Sequence, residues 1–145
     1  MSDITLYKSH PDKLLIEHIK GVVKNVNSRT DSLFAEIAAI FHDLGKMNPN
    51  FQAKLEGKTP KGYSNHSLLS AYVFYCMVLV DKNRKLSPND IIGLIVLIAK
   101  HHGNLPDLCP SGIDGYILSR NEIKDLFSFL ENNDLPFYNY VKYFY

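Results

Sequence analysis

Apolar residues recur at spacings of three and four along nearly all of this chain, and nowhere do they alternate with polar residues over any length. A half-buried strand needs a period of two and a helix one of 3.6, so the pattern predicts an all-α fold, a compact helical bundle. Leu15, His18, Ile19, Val22 and Val26 form the first stripe, with Pro11 placed as a first-turn residue. A second helix is expected from about Asp31, with Phe34, Ile37, Ala38 and Phe41 on one face and Gly45 as the glycine that ends it. Asn48-Pro49 predicts the cap of a short third helix over residues 51–55, and the basic segment 57–62 reads as a turn-rich loop. Ser64 is expected to open a fourth helix with Leu69, Val73, Phe74 and Met77 inward. Ser87-Pro88-Asn89-Asp90 predicts the start of a fifth, ending at His102 before Gly103. Ser119-Arg120-Asn121-Glu122 reads as the capping box of a sixth.

Composition enters as a set of exclusions. At 145 residues, 46% of them hydrophobic and 21% charged, the chain can bury one core, and disorder is not expected. A net charge of +1 is too balanced for a broadly basic nucleic-acid binder, so any contact with a phosphate backbone must be local or run through bound metal. Cys76 and Cys109 form no C-x-x-C pair or disulfide framework, which points to a reducing, cytoplasmic setting with Cys76 in the core. The first residues carry no apolar signal segment. The apolar runs 71–80 and 91–99 fall short of the roughly 20 residues a membrane helix needs. Residues 135–145 hold six aromatics, a surface that either folds back on the bundle or meets chain beyond this one.

The helix order then gathers the histidines. His42 and Asp43 fall at the C-terminal end of the second helix, His66 in the first turn of the fourth, and His101 and His102 at the end of the fifth. Short antiparallel connections return all of these to one end of the bundle, and His18 points inward from the first stripe. Five of the six histidines and one aspartate thus share a layer. Neutral imidazole and carboxylate are ligands for borderline transition metals. Neighbouring residues on a helix fan out by about 100°, which suits two adjacent metals, and Asp43 has two oxygens with which to bridge them. Two ions about 3.5–4 Å apart are a common device for phosphodiester hydrolysis. Taken singly, each residue has a plainer reading: His18 as a satisfied core histidine, His66 as a surface residue, His101 and His102 as charges at a helix end, Lys46 as a solvated lysine. His10, before Pro11, is read as a loop residue without a role.

These residues resemble a family. The His42-Asp43 pair is that of the HD superfamily of metal-dependent phosphohydrolases. The succession His18, His42-Asp43-Leu44-Gly45-Lys46, Phe51-Gln52, His66-Ser67 with Ser70, and His101-His102-Gly103 is similar to one branch of it, the nuclease domain of the type I CRISPR effector that acts with a DNA-unwinding helicase. The likeness covers about residues 14–105. It implies that residues 1–145 form one HD nuclease domain that cleaves single-stranded DNA in antiviral defence, with a fused or separate helicase and a surveillance complex. It implies one metal on His18, His42 and Asp43 and a second on Asp43, His66, His101 and His102, the ions being manganese, cobalt, nickel or iron. Asp43 and Lys46 become the catalytic residues, Lys46 beside the scissile phosphate. The family completes the first metal with a late aspartate. None of Asp107, Asp114, Asp125 and Asp134 carries its surrounding pattern, so the chain is expected to lack that ligand and the family's C-terminal portion. Two other functions stay open: an HD phosphohydrolase acting on nucleotides or cyclic dinucleotides, and a non-catalytic helical interaction module with a structural metal.

Overall fold

The computed structural model describes residues 4–80, 85–103, 120–137 and 141–142. A single 3-10 turn, Ile4–Leu6, leads into a small antiparallel hairpin, β1 (Lys8–His10) and β2 (Lys13–Leu14). Among the described residues six helices with defined bounds follow: α1 (Leu15–Asn27), α2 (Leu33–Phe41), α3 (Pro49–Leu55), α4 (His66–Val80), α5 (Pro88–Lys100) and α6 (Arg120–Asn132). A 3-10 turn, Leu44–Met47, joins α2 to α3. The chain is therefore a helical bundle as expected, with one hairpin that period counting could not register in strands of three and two residues. Pro11 lies in the hairpin turn and does not start α1. The helix begins at Leu15, whose N–H is taken by the Tyr7 carbonyl at 2.8 Å.

Capping chemistry sets most of the other boundaries. Ser32 accepts from the Ala35 N–H at the start of α2, and Asn48 accepts from Asn50 ahead of Pro49 at the start of α3. Ser87 and Asp90 form a reciprocal capping box on α5, as the sequence predicts. For α4 the cap is Asn65, whose Oδ1 accepts from Leu68 N–H, rather than Ser64. Ser119, the expected cap of α6, lies outside the described residues.

The core runs between α1, α2, α4 and α5. Leu15, Ile19, Ile37, Leu44, Leu69, Phe74, Leu94 and Ile98 are fully buried there, and Phe41 meets Phe74 edge-on at 5.2 Å. Val78 takes the buried position expected for Met77, and Met77 is half-buried beside it. Cys76 is likewise only half-buried, and Cys109 lies outside the described residues. Near the end of the chain, Val141 is buried in the core and Phe137 packs against it, so this part folds back. Tyr138, Tyr140, Tyr143, Phe144 and Tyr145 fall outside the described residues. No helix among the described residues is long and apolar enough to cross a membrane.

Packing also gives Gly45 its reason. It does not end α2 in a left-handed conformation; among the described residues, Gly57 alone has a positive φ. A Cβ at Gly45 would run into the backbone carbonyl of His66. The 3-10 turn can therefore lie directly on the first turn of α4 only if residue 45 lacks a side chain, and that close approach brings His42-Asp43 to His66.

Candidate metal centre

The end of α2 builds the middle of the site. His42 caps the helix, and Asp43 turns the chain into the 3-10 segment with φ −112° and ψ 5°. Lys46 N–H bonds back to the Asp43 carbonyl at 3.0 Å, which closes the turn and lays the two side chains together. Asp43 is 2% exposed, and its two oxygens face different ways. Oδ2 is 2.9 Å from His18 Nε2, 3.4 Å from His42 Nε2 and 2.8 Å from Lys46 Nζ. Oδ1 is 3.3 Å from His101 Nε2 and 3.5 Å from His66 Nε2. His102 Nε2 then lies 2.9 Å from His66 Nε2, and His18 Nε2 lies 3.3 Å from His42 Nε2. The donors fall into two sets, His18-His42-Asp43 and Asp43-His66-His101-His102, each with its ligand atoms within 4.8 Å of one another. Asp43 belongs to both.

Helix ends fix the ring protons. His42 Nδ1 is 2.8 Å from the Ala39 carbonyl and His101 Nδ1 is 2.7 Å from the Ile98 carbonyl. A carbonyl can only accept, so each Nδ1 carries its proton and donates, and each Nε2 is left with a lone pair in the neutral ring. The last carbonyls of a helix have no N–H of their own to bond, and here the cap histidines of α2 and α5 use them. Lone pairs from several rings and an ionised carboxylate thus point into one small volume, where they repel unless a cation sits among them. This donor set fits a divalent transition ion, and the bonds at Nδ1 supply the outer orientation that such ligands need.

The electrostatics agree. Burial alone raises the Asp43 carboxyl, but the close imidazoles of His101, His42 and His66 outweigh it and hold the group well below the usual carboxylate range. Burial lowers His18, against the pull of Asp43 and with help from His42. Burial also lowers His102, helped by His101 and His66. Asp43 is therefore ionised and these two rings neutral near pH 7, the forms that bind metal. The side chains of His18, His42, His66 and His101 keep 14–18% of their surface open, so the centre is reachable from solvent.

The remaining motif residues hold this arrangement in place. Buried Ser70 accepts from Gly45 N–H and donates to the His66 carbonyl, both at 2.8 Å, tying the 3-10 turn to α4. Phe51 packs edge-on against the His66 ring at 4.8 Å and lies under the Lys46 ammonium at 5.6 Å. Gln52 is the most connected: its amide donates to the Lys46 carbonyl at 2.7 Å and the Lys8 carbonyl at 2.8 Å, and accepts from Lys8 N–H at 3.0 Å. Asn48, fully buried, donates to the Tyr63 carbonyl. Every sequence-predicted ligand is in the cluster. His10, which reads from sequence as a loop residue without a role, is in β1 with its ring 5.4 Å from that of His18. Nothing in the linear pattern marks it, because the hairpin brings it there. Of the late carboxylates, Asp125 and Asp134 are exposed and join neither set, while Asp107 and Asp114 lie outside the described residues.

The sequence model described as Cas3, HD domain, matches residues 5–114. The chain belongs to the Cas3 HD-domain family. That family places it among CRISPR-associated nuclease domains, and its fold and its histidine-aspartate centre are those of an HD domain, a class that binds divalent metal. The chain is 34% identical over 80 residues to the CRISPR-associated nuclease/helicase Cas3 of Haloferax volcanii, covering 54% of this chain and 8% of that protein. It is also 29% identical over 93 residues to a DNA-directed RNA polymerase subunit beta of Granulibacter bethesdensis, covering 64% of this chain and 6% of the other. The chain thus spans less than a tenth of either relative's length. No solved structure matches it.

Proposed function

We propose that this domain is a metal-dependent phosphodiesterase that cleaves single-stranded DNA in CRISPR antiviral defence, in the cytoplasm, with a helicase and surveillance complex as partners. The observation that carries the reading is the split of one buried carboxylate between two imidazole sets. A structural metal needs one closed ligand set. A carboxylate whose oxygens face opposite sets could serve two ions. His18, His42 and Asp43 would hold one, and Asp43, His66, His101 and His102 the other, the ions being manganese, cobalt, nickel or iron. When bound, the pair supplies Lewis acidity at the attacking water and at the leaving oxygen.

The chain's own groups do the rest. The Nδ1 bonds of His42 and His101 lock their rings so that no ligand has to reorient. Lys46, 5% exposed, brings a positive charge to the Asp43 side of the centre, where a phosphate reaching the metals would gain charge in the transition state. The Phe51 ring beneath it limits where that ammonium can swing.

Metal content by mass spectrometry, together with cleavage assays on single- and double-stranded DNA in manganese, tests this. Metal-dependent cutting of single strands is expected. A protein that holds one zinc ion and cuts nothing would instead be an interaction module with a structural metal. Hydrolysis confined to nucleotides would move it to the nucleotide-directed branch.

A further inference from the structure

The hairpin that period counting misses presents one charged face. In a strand, alternate side chains point to opposite sides. Ser9 is 2% exposed, whereas Lys8 and His10 are exposed, the His10 Nδ1 lying 3.0 Å from the Ser9 hydroxyl. His10 pairs with Lys13 across the hairpin, and Lys13 is exposed as well. This face abuts the metal centre. The His10 ring is 5.4 Å from His18, the same separation as between His18 and His42. Lys13 is close enough for its charge to be felt at His18.

We propose that Lys8, His10 and Lys13 form a binding surface for the phosphodiester backbone of the strand that enters the centre, on its His18 side. The proposal rests on the nuclease reading above. Phosphates next to the scissile one must pass along a flank of the centre, and this flank is positive although the whole chain carries only +1. Among the described residues, neither lysine is in an ion pair: Glu56, which feels Lys8, is held by Lys58 at 2.6 Å, and Asp12 lies in the turn. The surface is also held in register. Gln52 pairs with both main-chain groups of Lys8 as a neighbouring strand would, and its amide nitrogen also reaches the Lys46 carbonyl. One side chain therefore sets the distance from the hairpin to the lysine of the centre.

The test is oligonucleotide binding by the full metal-free chain in chelator, read by fluorescence anisotropy over a range of salt concentrations. Lys8→Gln with Lys13→Gln is expected to weaken binding about tenfold at low salt and to reduce the log–log salt slope by roughly 1.4, about 0.7 for each phosphate no longer neutralised. His10→Ala is expected to weaken binding about twofold with little change in slope. The control removes the same charge elsewhere: Lys24→Gln with Lys85→Gln, both exposed, is expected to change affinity less than twofold. Melting curves check that all variants are folded. If the wild type binds and the hairpin variant binds equally well with the same slope, the hairpin surface is wrong and the nuclease reading stands. If the control loses as much as the hairpin variant, the attraction is general and the proposal again fails. If the wild type binds no oligonucleotide without metal, the hairpin surface is wrong, and cleavage in manganese decides the nuclease reading separately.

Discussion

The two halves of the centre share Asp43 and differ in almost everything else. The half made by His66, His101 and His102 draws four side-chain donors, with Asp43, from the start of α4 and the end of α5. The half made by His18 and His42 has three, with Asp43, and Lys46 Nζ 2.8 Å from the same oxygen. One half is richer in candidate donors; the other has fewer and carries the Lys46 ammonium beside its carboxylate oxygen. The contrast teaches that one carboxylate can face two unequal sets of donors, because each oxygen answers to its own neighbours.

Removing the shared residue erases the comparison. Asp43→Ala should take both ions and lower DNA cleavage on the order of 10³-fold, more than any single histidine change, since both sites lose a ligand. Equal loss from His18→Ala would show that the carboxylate does not bridge. Lys46→Met should lower cleavage on the order of 10²-fold. It should also tighten the first metal, because Oδ2 loses its competing charge. Manganese titration of the variant reads that sign directly, and weaker binding would mean that Lys46 helps to build the site.

The asymmetry itself is measurable. Titration of the wild type should fill the His66-His101-His102 position first. His102→Ala should abolish the tight step, and His18→Ala only the weak one. A smaller change tests how the strong half is held. Ser70→Ala breaks the link from Gly45 to His66, and should cost about 1–3 kcal/mol in stability and about 10–100-fold in affinity at the tight site alone. Equal weakening of both steps would mean that Ser70 supports the fold generally.

The smallest effect concerns pH. Burial lowers His18 and His102 below the ordinary imidazole value of 6.5. With a folded value below the unfolded one, the associated stability is present above about pH 6.5 and is lost as pH falls through the lowered values. Metal-free protein should therefore melt a few degrees lower at about pH 5 than at about pH 7.5. His18→Gln with His102→Gln should flatten that slope, and an unchanged slope would assign it to other groups.

Much of this was legible in order and spacing. Helical periodicity and the caps at Asn48 and Ser87 set the order of helices, and short connections between them sufficed to bring His42, Asp43, His66, His101 and His102 together. The family pattern also marked Gly45, Gln52 and Ser70, but not what they do. Gly45 reads as a helix stop until α4 is seen lying against it. Gln52 stands in that pattern without its partner, because the hairpin it pairs with is not legible there.

What the chain determined by itself is therefore the inventory and its approximate layer, because helix period and capping are local and are written in neighbouring residues. What tertiary structure decided is direction: which oxygen of Asp43 faces which rings, which nitrogen of His42 and His101 keeps its proton, and that His10 stands beside His18. Those depend on distances between atoms far apart in the chain, and a hairpin with strands of three and two residues is too short to announce itself by period. It is held by Gln52 at Lys8 and by the Leu15 N–H at the Tyr7 carbonyl.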